Sequence, residues 1–187
     1  MELHSIAQGK RGNPHQVLED IVYRWSPRSM NGEALAEEEL LPLFEAARWA
    51  PSAFNNQPWR FYYALRDSDR FKDLLGLLVE KNRQWCLNAA ALMIVVSKNT
   101  YDHNDSPMRS HVYDTGAAWM ALAIEGLRRG YVVHGMAGFD DEAATEYLSL
   151  GEAYQINFMA AVGVPAGEVD QEAISQRKAI EEIAFSL

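Results

Sequence analysis

The sequence predicts an α+β fold in which a central sheet carries helices on both sides. Apolar residues recur at helical spacing in several segments, two short runs are continuously apolar like strands buried on both faces, and helices and strands do not alternate strictly. With 187 residues, 48% of them hydrophobic, and one cysteine, the chain has the size and composition of one soluble domain without disulfides.

The N-terminal half is predicted to begin with a flexible segment. Residues 1–14 contain Gly9, Gly12 and Pro14 and are expected to form a loose arm, which leaves 15–187 as the single domain. In chain order, the elements predicted next are a helix over 15–24, a helix over 37–49, an aromatic-rich strand over 59–65, a helix over 69–82 and a fully apolar strand over 90–97.

The C-terminal half is dominated by a predicted helix over 109–129 that has almost no polar face. Such a helix belongs to a core, or to a core and a subunit interface. Gly130 ends it and Asp140 can cap the next helix. The elements predicted after it are a strand-like segment at 131–134, a helix over 141–149, a strand over 156–165, and either an edge strand or a short helix over 178–186.

Composition excludes several classes of function. The net charge of −9, with 17 scattered Lys and Arg residues, argues against nucleic acid as a partner. No run approaches the roughly 18 apolar residues of a membrane span, and the N-terminus has no apolar signal region, so a cytoplasmic protein without a membrane partner is expected. No phosphate-binding loop, nucleophile elbow or metal motif occurs, and Cys86 is expected to be an inert core thiol.

Two segments carry candidate binding chemistry, and each has an ordinary alternative. The connection 47–59 presents Ser52, Asn55, Asn56 and Gln57, whose groups suit a flat heterocycle, although the same residues are common turn formers. The segment 24–29 places two arginines around a serine, as a phosphate requires, although basic residues also complement the C-terminus of a helix.

Two weaker signals lie later in the chain. The glycines of 135–140 allow close approach of a ligand to the backbone, but a plain loop with a capping Asp140 explains them equally. A second basic spot, at 176–178, means little alone.

Taken together and in order, these segments resemble the FMN-dependent nitroreductase family over residues 15–187. The family's R-x-S-x-R pattern and its E-A-A-x-x-A-P-S-x-x-N-x-Q-P-W pattern are the most informative parts. The matching segments are Arg24, Ser26 and Arg28, then 45–59, Asn82, DTGAA at 114–118, GFD at 138–140, GVP at 163–165, and the pair Arg177 and Lys178.

The resemblance implies a homodimer with a mainly antiparallel central sheet and FMN at the interface. Arg24, Ser26 and Arg28 would hold the phosphate and ribityl end, and Arg177 with Lys178 would complete the phosphate site. The other implied flavin contacts are Ser52, Asn55 and Gln57 from the partner subunit, Asn82 at the polar ring edge, and the backbone N–H groups of Ala137 and Gly138 near flavin N5.

The resemblance also implies a reaction: NADH or NADPH reduces the flavin, and a nitroaromatic or quinone-like small molecule reoxidises it in a ping-pong sequence. No side chain is expected to act as general acid or base. Trp25, Trp85 and Ala137 depart from residues that many members carry, so substrate and nicotinamide preference do not transfer. The alternatives are a flavin-binding or regulatory module without turnover and a dehalogenase-like flavoenzyme.

Overall fold

A computed structural model describes residues 3–187 and shows an α+β fold around one antiparallel sheet. The helices are α1 (Leu3–Gln8), α2 (Glu19–Tyr23), α3 (Glu37–Arg48), α4 (Asp69–Gly76), α5 (Glu80–Cys86), α6 (His111–Arg128) and α7 (Asp141–Leu148). The strands are β1 (Trp59–Leu65), β2 (Ala91–Lys98), β3 (Val132–Met136) and β4 (Tyr154–Gly163), arranged in the order β1-β2-β4-β3 with every neighbouring pair antiparallel.

Strand β2 separates the two halves of the core. Its side chains alternate, so Leu92 and Ile94 belong to one apolar cluster while Met93 and Val95 belong to the other. The first cluster lies under α1, α2, α4 and α5, and the second lies under α3 and α6. The continuous apolar run therefore does mark a strand covered on both faces.

The predicted loose arm is wrong for part of its length, because α1 lies within it. Leu3 and Ala7 are buried in the first core cluster, and the indole N–H of Trp25 donates to the carbonyl oxygen of Leu3 at 3.2 Å. Ile6 packs against the same cluster, so one apolar face of this short helix docks the segment on the core. Met1 and Glu2 fall outside the described residues.

Two predicted helices are shorter than their patterns suggested. In place of a helix over 15–24, only α2 forms, because the Asn13 side chain exchanges hydrogen bonds with the backbone of Val17 in a local turn. The helix expected over 69–82 is divided into α4 and α5, because Leu78 pairs with Phe139 and the Val79 N–H donates to the Gly138 carbonyl oxygen at 3.1 Å.

The C-terminal segment is irregular, whereas α6 is a long helix packed against the sheet. Residues 178–186 form no strand, and only a 3-10 turn over Ile180–Glu182 interrupts an irregular path. One side of α6 packs on α3 and the sheet, whereas Tyr113 near its start is exposed. Among the described residues, no helix is long and apolar enough to cross a membrane.

Candidate functional site

A cavity of about 260 Å³ brings together arginines from three separate parts of the chain. Residues 24–29 follow α2 without regular secondary structure, and burial alternates along them. Trp25 and Pro27 are buried, whereas the side chains of Arg24, Ser26 and Arg28 are more exposed and line the cavity. Its lining includes the predicted Arg24, Ser26, Arg28 and Arg177, together with Arg11, His134 and Glu172.

The cavity is strongly cationic. Arg24 donates to the Ser26 hydroxyl at 3.1 Å. Desolvation by burial lowers the pKa of Arg24, and the nearby Arg177 guanidinium lowers it further. The pKa of Arg11 is also lowered, first by burial and then by Arg177 and Arg24. These shifts show that the three guanidinium groups are close enough to repel one another.

Glu172 is the acidic residue of this cavity lining, and its carboxylate is already engaged. It accepts from the backbone N–H of Arg28 at 2.9 Å and from that of Ser29 at 2.7 Å. This carboxylate therefore fixes the backbone that carries Arg28, and no ion pair between it and a cavity arginine occurs in the described chain.

Arg11 is a cavity residue that sequence reasoning missed. Its Nη1 donates to the carbonyl oxygens of Val22 at 2.7 Å and Arg24 at 2.9 Å, and its Nη2 donates to that of Ser175 at 3.1 Å. Its Nε is buried and has no hydrogen-bond partner within residues 3–187. All three acceptors are backbone carbonyls, which leave no signal in a sequence.

Lys178 lies outside the cavity. It lines an adjoining groove of about 710 Å³, which shares Arg11 and Arg177 with the cavity. Arg177 therefore lines the same cavity as Arg24 and Arg28, whereas Lys178, the next residue of the C-terminal segment, does not.

A second group of predicted residues meets where α5 faces the loop after β3. The Asn82 side-chain amide donates to the Gly138 carbonyl oxygen at 3.0 Å, and the Trp85 indole N–H approaches Asn82 Oδ1 at 3.4 Å. The N–H groups of Ala137 and Gly138 have no hydrogen-bond partner in the part of the chain that the structure describes. Two backbone donors and a fixed amide are therefore grouped here.

His134 links this group to the arginine cavity. Its ring centroid lies 4.8 Å from that of Trp85, and its Nδ1 is 2.9 Å from the Pro27 carbonyl oxygen. Burial lowers the pKa of His134, with the Pro27 contact opposing that shift. The imidazole is therefore neutral at pH 7, with the ring held between the two groups.

Ser52, Asn55 and Gln57 do not line the arginine cavity. They belong to a tight loop in which Phe54, Asn55 and Gln57 all have positive φ angles. The Ser52 hydroxyl accepts from the Gln57 N–H at 3.0 Å, and the Gln57 side chain donates to the Asn55 carbonyl oxygen at 3.1 Å. Within a single chain, this loop and the cavity are separate features.

Cys86 and His111 both lie outside the arginine cavity. Cys86 is fully buried against Met136, and burial raises the pKa of its thiol to about 12. His111 Nδ1 is 2.8 Å from the Ser97 hydroxyl. No cluster of three or more His, Cys, Asp or Glu side chains suited to a metal ion occurs within residues 3–187.

Fold and site define an α+β protein that combines an arginine-lined cavity with a nearby group of backbone donors. Comparison with known proteins places it further: the chain belongs to the nitroreductase family, whose model matches residues 21–164. A crystal structure of an oxidoreductase containing FMN is 34% identical to this chain, with a TM-score of 0.88 over 94% of this chain and 93% of the other.

Two further comparisons involve a solved structure that shares the fold and a protein that matches part of the sequence. A putative nitroreductase in complex with FMN from Desulfovibrio desulfuricans is 24% identical, with a TM-score of 0.74 over 95% of this chain and 98% of that one. An uncharacterised 15.4 kDa protein of Mycolicibacterium smegmatis is 36% identical over 74 residues, which are 40% of this chain and 48% of that protein.

Proposed function

We propose that this protein is an FMN-dependent oxidoreductase that takes hydride from NADH or NADPH and passes electrons to nitroaromatic or quinone-like acceptors. Membership of the nitroreductase family and the similarity to an oxidoreductase containing FMN support this class of activity. The observation that carries the proposal is the cavity in which Arg24 and Arg28 meet Arg177 from the far end of the chain.

The cavity residues fit a phosphate monoester. A dianion relieves the repulsion between neighbouring guanidinium groups and so stabilises the cavity when it binds. In addition, the Arg11 Nε is a buried donor without an acceptor among the described residues. Arg24, Arg28 and Arg177 would bind the phosphate and Ser26 would donate from its hydroxyl. Lys178, on the adjoining groove, would add longer-range positive potential.

The flavin ring would lie toward Asn82 and the loop after β3. The Asn82 amide can hydrogen-bond the polar edge of the ring, and the N–H groups of Ala137 and Gly138 can donate toward N5. The bound flavin supplies the hydride and electron chemistry. His134 stays neutral and positions the Trp85 ring, so no side chain is assigned a proton-transfer role.

Ser52, Asn55 and Gln57 would complete the flavin site of the partner subunit in a homodimer. Their loop is separate from the cavity of its own chain, and Phe54 at its tip is 84% exposed. Sedimentation at micromolar concentration should therefore give twice the chain mass, and a monomer that still holds FMN would contradict this arrangement.

Titration of the protein with FMN, followed by turnover with NADH or NADPH and a nitroaromatic acceptor, tests the proposal. Arg28→Ala should weaken FMN about tenfold or more, because a charge-assisted phosphate contact contributes about 1.5–3 kcal/mol. Arg48→Ala, which removes an exposed arginine paired with Glu45, is the matched control. Unchanged FMN affinity in Arg28→Ala refutes the phosphate assignment, and FMN binding without NAD(P)H oxidation favours a module without turnover.

A further inference from the structure

The N-terminal segment 3–11, here called the N-terminal clasp, is fastened to both walls of the arginine cavity. The match to the family model begins only at residue 21, so the clasp lies outside it. Arg11 at its end reaches the segment that carries Arg24 and the segment that precedes Arg177. The neighbouring Lys10 donates a hydrogen bond from its Nζ to the Asp170 carbonyl oxygen at 2.9 Å.

We propose that Arg11 is a positioning residue of the phosphate site, and that binding of a phosphate monoester and docking of the N-terminal clasp stabilise each other. This inference rests on the proposed function and goes beyond it. It assigns a role to a segment that the resemblance leaves out.

The geometry makes Arg11 a bridge between the cavity walls. One guanidinium donates to Val22 and Arg24 on one wall and to Ser175 on the other. A planar guanidinium can hold several acceptors in a fixed fork, whereas the single ammonium of lysine cannot reproduce that arrangement. Without Arg11, nothing in this bridge would fix the distance between the wall that carries Arg24 and the wall that carries Arg177.

The electrostatics couple the clasp to the ligand. Docking Arg11 brings a third guanidinium beside Arg24 and Arg177, which is unfavourable until an anion lies among them. A dianionic phosphate among these arginines removes that repulsion. By linkage, the factor by which docking tightens phosphate binding equals the factor by which phosphate favours docking.

The test is a titration of three variants with FMN and with riboflavin, which lacks only the phosphate. The variants are Arg11→Ala, Arg11→Lys and the control Arg48→Ala. In Arg11→Ala we expect FMN to weaken about tenfold while riboflavin stays within about twofold. Arg11→Lys should recover little of the FMN affinity, because it restores charge without the fork. An unchanged FMN-to-riboflavin ratio in Arg11→Ala, an equal loss of both flavins, or full recovery in Arg11→Lys overturns the proposal.

Trypsin cleavage after Lys10 and Arg11 gives an independent measurement on the wild-type protein. Saturating FMN should slow this cleavage severalfold and saturating riboflavin should not, and equal protection by both flavins contradicts the coupling. If Arg11→Ala does not fold, the flavin titration of Arg11→Lys and the trypsin assay on the wild-type protein test the proposal instead. If the wild-type protein binds no flavin, the proposed function fails separately. In that case, inorganic phosphate should protect the wild-type protein from this cleavage, and less so the Arg11 variants. Such a result supports the coupling between clasp docking and phosphate binding, and absence of protection refutes it.

Discussion

Gly138 offers a sharp test of the predicted ring end of the site, because the structure leaves no room for a side chain there. A Cβ at this position would lie 2.6 Å from the Asn82 side-chain nitrogen and 2.9 Å from Val79 Cγ2. Gly138→Ala must therefore displace the Asn82 amide or shift the loop, and either movement weakens the 3.0 Å hydrogen bond from Asn82 to the Gly138 carbonyl oxygen.

The magnitude follows from the crowding. Overpacking of this kind costs about 1–3 kcal/mol. For a chain of this length each kcal/mol corresponds to about 2–4 °C in Tm, so a loss near the middle of that range lowers Tm by about 4–8 °C. Because Asn82 and Gly138 lie at the proposed ring end, FMN and riboflavin should weaken by similar factors.

The assay is thermal and urea unfolding of Gly138→Ala beside Gly151→Ala, followed by titration of both variants with both flavins. Gly151 is the matched control because an added Cβ there meets no atom within 4 Å. A Gly138→Ala protein as stable as Gly151→Ala refutes the crowding argument. A loss of affinity confined to FMN refutes the placement of the ring end.

Three further predictions concern buried polar groups. Asp114→Asn should lower the free energy of unfolding by about 1–3 kcal/mol, because the Asp114 carboxylate accepts from the Ala53 N–H and is buried; urea unfolding beside the exposed Asp67→Asn measures it. Burial lowers the pKa of His134, so the unfolded state binds more protons below about pH 6.5. The free energy of unfolding should therefore fall as the pH is lowered from 7 to 5. An equally steep fall in His134→Gln contradicts this prediction. Cys86, whose pKa is raised to about 12, should react with thiol reagents at pH 8 only after denaturation.

Local patterns predicted the elements whose boundaries depend on local chemistry. The apolar run that became β2 and the Asp140 cap of α7, which accepts from the Ala143 N–H at 3.0 Å, are of this kind. The division between α4 and α5 was not predictable, because residues near Leu78 are drawn from helix into pairing with Phe139, which is distant in the sequence. Tertiary pairing overrides helical spacing there.

The same distinction applies to the site. Arg24, Ser26 and Arg28 alternate with the buried Trp25 and Pro27, so their spacing, which the sequence alone shows, puts them on the same side of the segment. Their meeting with Arg177 was implied only by the family resemblance, because no local pattern joins the two ends of the chain. Arg11 could not be found at all, because its partners are carbonyl groups that every residue has.

The backbone conformation of the loop that carries Ser52 bears on its two interpretations, a ligand-binding loop and an ordinary polar connection. A left-handed backbone costs little at Asn55, but at Phe54 and Gln57 it stores strain of order 1–3 kcal/mol each. The loop keeps this shape because Asp114 holds the Ala53 N–H at 2.9 Å, while the neighbouring Asn56 is bonded to the loop at 100–102. These tertiary contacts hold the strained backbone in place, and backbone strain retained in this way clusters at ligand-binding sites. The strained backbone therefore supports the proposal that these side chains are held in position for a ligand.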